Sequence, residues 1–143
     1  MDCIFCKIIE RKESAEIIFE DEKVIAFLDI KPIHFGHILV VPKIHCKDFV
    51  DIPDEDLHAL INGTKIVAKA LLESLKPDGY NIFSNNGKAA GQSIFHFHMH
   101  ITPRYFKDEI HFRINLKDYK ESEMKSFAEL IRGKIVNKFG ENS

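Results

Sequence analysis

The chain contains no tryptophan, an odd number of cysteines (three), almost no net charge and no long apolar run. Each shortage excludes a class of protein. Without Trp but with twelve Phe, the aromatic part of any core must be built on phenylalanine. Three Cys, in a chain whose first residues show no secretory leader pattern, argue against a disulfide framework, so a reducing, cytoplasmic setting is expected. Twenty Lys and Arg against 22 Asp and Glu give a net charge of −2, so charge lends no support to a nucleic-acid partner. No apolar stretch approaches the roughly 18 residues needed to span a bilayer, so no membrane partner is expected. What is present, 143 residues with 45% hydrophobic and 29% charged, is the composition of one ordinary soluble domain, without internal repeat, low-complexity tract or linker.

Hydropathy periodicity divides the chain into an α+β pattern. Phe5–Glu10 reads as a short helix pinning the N-terminus, and Ile17–Glu20 and Val24–Leu28, joined at Asp21-Glu22-Lys23, as a β-hairpin. His37–Pro42 is a short apolar strand closed by proline. The clearest helix runs from about Pro53 to Leu75, with Leu57, Leu60, Ile61, Thr64, Val67, Ala68, Leu71, Leu72 and Leu75 on one stripe. Pro53 suits its first turn, and Asp54, Glu55 and Asp56 complement its positive end. Lys76-Pro77-Asp78-Gly79 stops it. Tyr80–Ser84 is a further strand, and a last amphipathic helix begins near Ser122, using Met124, Phe127, Ala128, Ile131 and Ile135. The expectation is a single domain over 1–143, with an antiparallel sheet of about five strands, one long helix and short N- and C-terminal helices.

The chemistry concentrates in Ile94-Phe95-His96-Phe97-His98-Met99-His100-Ile101, where three histidines at i, i+2 and i+4 alternate with apolar residues. This is the period-2 pattern of a half-buried strand, apolar on one face and carrying three imidazoles on the other. Strand geometry separates the first and third histidines by about 13 Å, too far to share one metal ion unaided. Nucleophilic catalysis fits better. A neutral imidazole attacks well at pH 7 when its other ring nitrogen is held protonated, and the middle histidine, His98, has neighbours on both sides. An electrophile ringed by anionic oxygens needs donors aimed at those oxygens. The preceding loop, Asn85-Asn86-Gly87-Lys88-Ala89-Ala90-Gly91-Gln92-Ser93, offers amide and hydroxyl donors and glycines that let backbone N–H groups approach. It is not a Walker A loop, since Gln-Ser follows Gly91. Alone it reads as an ordinary turn; directly before three histidines, a phosphate cradle accounts for it better.

The run from Gly91 to Arg104, together with Asp29-Ile30-Lys31-Pro32, Gly36-His37-Ile38-Leu39-Val40-Val41-Pro42-Lys43 ahead of His45, and Asn85-Asn86-Gly87, resembles the signature of the histidine triad (HIT) nucleotide hydrolases and transferases. The likeness covers about 3–106, and the C-terminal extension, about 107–143, carries no recognised signature. The resemblance implies that His98 attacks the α-phosphorus of a purine nucleoside phosphoramidate or dinucleoside polyphosphate, and that water then releases a nucleoside monophosphate. It implies that His96 and His100 flank the phosphate and that His37 supports the triad. Asn85, Gly91, Gln92 and Ser93 would contact the phosphate or leaving group. Asp29 would accept from the ribose hydroxyls, and Phe5, Ile8, Phe27, Leu28 and Ile30 would line the base pocket. It also implies a homodimer and no organic cofactor.

Cys3-Ile4-Phe5-Cys6 is a C-x-x-C without a second pair, a weak zinc signal alone. The resemblance extends to zinc-containing members of the family, and implies a structural zinc on Cys3, Cys6, His45 and His96; a reduced, metal-free pair is the plain alternative. Cys46 reads as a small buried residue, and His58 and His111 as surface or satisfied residues. A rival from another class is a nucleotide-binding regulatory or scaffold protein with little catalysis, which a replaced middle histidine would have favoured. A second rival, a small metalloenzyme using His-x-His, would lose activity on chelation without forming a phosphohistidine.

Overall fold

The computed structural model describes residues 2–135. It divides into two compact units, Met1–Ile110 and His111–Ser143. The first unit is an antiparallel five-stranded sheet in the order β1-β2-β3-β5-β4, with β1 Ile17–Glu20, β2 Val24–Leu28, β3 Ile38–Pro42, β4 Gly79–Phe83 and β5 Met99–Arg104. Helices α1, Ile4–Ile9, and α2, Asp54–Leu75, complete it.

Both faces of the sheet centre are covered, which is why β2 and β3 read as continuous apolar runs and not as alternating ones. Val24, Ala26, Ile38, Val40 and Ile101 face Leu60, Val67, Ala68 and Leu71 of α2. Ile25, Phe27, Leu39 and Val41 take the opposite face with Phe5 and Ile8 of α1. The β1–β2 turn is fixed by Asp21, whose Oδ1 accepts from the amides of Lys23 and Val24 at 2.9 and 2.8 Å. The α2 stripe is narrower than the periodicity suggests: Ile61 and Leu75 are exposed, while Gly63, which no hydrophobic count selects, is buried against Val24. The helix ends where Lys76 turns left-handed at φ +49°.

The histidine segment departs from expectation. Only Met99 onward pairs with β3, through Val40–Met99, Leu39–His100 and Ile38–Ile101; His96 and His98 precede the strand. Phe97 N–H instead donates to the carbonyl of Cys46, 2.7 Å away in the loop after β3. Side-chain alternation nevertheless continues through the break, with Phe97, Met99 and Ile101 packing with the α2 core and His96 and His98 buried. Phe95 is the exception, 43% exposed and outside either core.

In the second unit, α3, Glu123–Arg132, leaves Met124, Phe127 and Ile131 exposed, and Ile135 lies beyond the helix end at Gly133. Among the described residues no helix is long and apolar enough to cross a membrane.

Candidate active site

Register dictates which side chains meet. His100 is paired with Leu39 of β3 and Phe83 of β4, so it projects on the α1 side of the sheet. There a cleft of about 460 Å³ is lined by Phe5, Ile8, Phe27, Leu28, Asp29, Ile30, Leu39, Ser93, Ile94, His98 and His100 among others. Its walls are apolar and its polar groups few and convergent, the usual make-up of a small-molecule site.

Hydrogen-bond partners fix the protonation of each ring. A carbonyl can only accept, so the 2.7 Å contact between His98 Nδ1 and the His96 carbonyl places a proton on Nδ1. Nε2 of His98 then keeps its lone pair, and no group among the described residues bonds it. Burial lowers the His98 pKa, opposed by the His96 carbonyl and the charge of Asp29, so the ring is held neutral. Phe5 packs edge-on against it at 5.0 Å.

His37, one residue before β3, is fixed in the same way. Ile33 N–H donates to His37 Nδ1 at 3.0 Å, so His37 carries its proton on Nε2 and donates it to His100 Nδ1 at 2.9 Å. His100 is thereby left with its proton on Nε2, a buried donor with no partner among the described residues. Burial, with His98 and His37 alongside, pushes the His100 pKa down to about 3, and burial also lowers that of His37. Asp29 Oδ2 lies 3.9 Å from His37 Nδ1, but with His37 neutral this is not an ion pair. Asp29 Oδ1 accepts from Lys31 N–H at 2.9 Å, which fixes the carboxylate at the cleft rim. Phe83, which sequence reasoning did not single out, stacks on His100 at 4.5 Å with 4° between the planes.

His96 turns the other way. Its Nε2 donates to the Pro42 carbonyl at 2.8 Å, so its Nδ1 lone pair faces Cys3 Sγ at 3.4 Å, Cys6 Sγ at 3.6 Å and His45 Nδ1 at 3.2 Å. Cys6 Sγ is 3.4 Å from His45 Nδ1, and the four ligand atoms lie within 4.8 Å of one another. Metal–ligand bonds of about 2.0–2.3 Å in a tetrahedron imply ligand separations of roughly 3.3–3.8 Å, so the set fits a zinc ion. Burial holds His96 near pKa 4, neutral as a ligand must be, and with no cation burial and Cys3 push the Cys6 thiol up to about 11.

Three expected contacts fall elsewhere. Gln92 is 4% exposed; its amide accepts from Gly87 N–H at 2.8 Å and donates to the Lys47 carbonyl at 2.7 Å. It braces the loop and has no free end for a substrate. Asn85 and Gly91 are neighbours in the same loop and are not on the cleft wall. Gly91 adopts φ +94°, which glycine tolerates and other residues rarely do. Ser93, the last loop residue, does reach the wall. Of the cleft residues that sequence reasoning missed, Leu39 follows from the face it shares with Val41. Glu13, Ser14 and Ala15 sit in the loop after α1 and leave no periodic signal.

A HIT domain model matches residues 10–107. The chain is 35% identical to a HIT-family protein from Bacillus subtilis of known crystal structure, with a TM-score of 0.89 over 96% of this chain and 100% of that one. It is 41% identical to a zinc-bound histidine triad protein from Mycobacterium smegmatis, TM-score 0.73, covering 82% of this chain and 85% of that one. An adenylylsulfatase of Arabidopsis thaliana is 36% identical over 107 residues, 75% of this chain and 54% of that protein. With a HIT domain matched over residues 10–107 and a HIT-family structure matched over nearly the whole chain, the chain belongs to the HIT family.

Proposed function

We propose that the protein is a hydrolase of purine nucleoside phosphoramidates or dinucleoside polyphosphates, acting through a nucleotide bound covalently to His98. The observation that carries this is the state of that ring: neutral, with Nδ1–H on the His96 carbonyl and an unbonded Nε2 lone pair at a nucleoside-sized cleft. The adenylylsulfatase among its relatives supports a reaction at a nucleotide phosphate.

The nucleoside base lies among Phe5, Ile8, Phe27, Leu28 and Ile30, with its ribose hydroxyls donating to Asp29. His98 Nε2 attacks the α-phosphorus. The bond to the leaving nitrogen or bridging oxygen breaks, and its electron pair departs with the leaving group, which Ser93 Oγ–H meets as donor. His100 Nε2–H binds a non-bridging oxygen, and His37 is the positioning residue that keeps that proton in place. Water then cleaves the P–N bond, releasing a nucleoside monophosphate and regenerating His98. Rapid mixing with a phosphorus-labelled substrate, followed by alkaline quench, should trap label on wild-type protein and none on His98→Ala. Full turnover by His98→Ala would refute the reading.

Cys3, Cys6, His45 and His96 would hold a structural zinc, which when bound cross-links α1, the loop after β3 and the triad segment; the zinc-bound mycobacterial relative supports this assignment. A homodimer is proposed on the exposed apolar Ile61 of α2 and Tyr80 and Ile82 of the edge strand β4. Light scattering of the purified protein tests it, and a monomeric mass would refute it.

A further inference from the structure

A second cleft, about 470 Å³, adjoins the first: Ile4, Ser93 and Ile94 line both, so the two open on either side of one ridge. Ser93 stands on that ridge. The second cleft is walled by the exposed ring of Phe95 and by Lys7, Asp2 and His45. Lys47 Nζ, from outside the cleft lining, lies over one face of the Phe95 ring, 6.0 Å from its centroid, which leaves the other face for a base. Lys7 Nζ pairs with Asp2 Oδ1 at 3.0 Å, but Asp2 is almost wholly in water and Lys7 partly so, and such a pair exchanges readily for a phosphate oxygen.

Phe95 is only partly covered, 43% exposed. It belongs to the apolar series of the triad segment, yet it packs in neither core while Phe97, two residues on, is buried. An aromatic ring with one ammonium over a face and a second ammonium in the wall of the same cleft is the chemistry that receives a nucleobase followed by phosphates. It is ill suited to a cationic amine.

We propose that this second cleft holds the leaving nucleotide of a dinucleoside polyphosphate, with its base on Phe95 and its phosphates near Lys7 and Lys47; this rests on the reaction proposed above. His98 Nε2 forms the P–N bond at one α-phosphorus. The bond from that phosphorus to the bridging oxygen breaks, and the remaining nucleoside polyphosphate leaves past Ser93 with the electron pair. Water then yields the monophosphate.

The test compares diadenosine tetraphosphate with adenosine 5′-phosphoramidate, whose leaving ammonia is too small to enter the second cleft. Phe95→Ala should lower kcat/KM for the tetraphosphate about tenfold, in line with the loss of one base–aromatic stack, and leave the phosphoramidate within about twofold. Phe95→Trp should keep the tetraphosphate rate. Equal losses on both substrates, or none on either, would overturn the assignment. Binding separates this assignment from the reaction itself. On His98→Asn protein, diadenosine tetraphosphate should bind about tenfold tighter than adenosine tetraphosphate, and Phe95→Ala should erase the difference. Equal affinities on otherwise unchanged protein would remove the second site even where turnover stands. A clear gain without turnover would keep the site and sink the reaction.

Discussion

Replacing His37 isolates the part of the site that no substrate touches. The ring accepts from Ile33 N–H at 3.0 Å and donates to His100 Nδ1 at 2.9 Å, so His37→Phe removes an acceptor and a donor at once. Two orphaned groups, each costing about 1–3 kcal/mol and one within reach of water, predict a stability loss of about 2–4 kcal/mol. The catalytic effect is separate. Without His37, His100 is free to carry its proton on Nδ1 and turn a lone pair toward the phosphate oxygens. Losing one oriented donor at a developing negative charge costs about 100- to 1,000-fold in kcat. His37→Phe should therefore lower kcat by about two orders of magnitude at a temperature where it is folded, with KM changed only a few-fold. His37→Gln, whose amide nitrogen reaches His100, should recover most of the rate. Nitrogen-15 spectra of histidine-labelled protein give an independent reading, with His100 protonated on Nε2 in wild type and a mixture in His37→Phe. Wild-type kcat in folded His37→Phe, or a proton on His100 Nδ1 in wild type, would refute the relay.

Other outcomes follow from the same geometry. Ser93→Ala should lower kcat about 10- to 1,000-fold with little effect on KM, most for poor leaving groups; equal small losses on every substrate would show the loop to be a connector. Wild-type protein purified without chelator should carry close to one zinc per chain by elemental analysis, and Cys3→Ser or Cys6→Ser should lose both the metal and several degrees of Tm; a metal-free, equally stable wild type would remove the site. Burial lowers the pKa of His37, His98 and His100, so below about pH 6.5 the unfolded chain binds protons that the native one refuses, and stability falls with falling pH toward the His100 value of about 3. Urea midpoints between pH 7.5 and 4.5 measure this, and a flat profile would contradict it. Gly36→Ala should cost about 1–3 kcal/mol by denaturation, because φ is +92° there and a new Cβ would stand 2.6 Å from Leu75 Cδ1.

The sequence shows plainly which residues are chemical and less plainly which of them face one another. Strand and helix order followed from periodicity because each element carries its own apolar pattern, and the β1–β2 hairpin and α2 lie where that pattern puts them. The triad segment misled in one respect: alternation records which face a side chain takes and says nothing about whether the backbone has a neighbour to pair with. His96, His98 and His100 therefore look equivalent in sequence, yet their partners make them different. His96 is tied through Nε2 to Pro42 and offers Nδ1 to the cysteines, His98 is tied through Nδ1 to its own chain and offers Nε2 to the cleft, and His100 is tied to His37. The ties of His96 and His100 run to Pro42 and His37, 54 and 63 positions away, so no local pattern could reveal them. The bracing role of Gln92 is hidden for the same reason, since only the fold shows that the Lys47 carbonyl takes its amide. The main chain of His96 closes the circuit: the residue whose ring faces the cysteines is the one whose carbonyl sets the tautomer of the nucleophile. Anything that loosens the Cys3, Cys6, His45 and His96 cluster thus acts on His98 through that 2.7 Å hydrogen bond and through Phe5, which lies between the two cysteines and packs on the His98 ring.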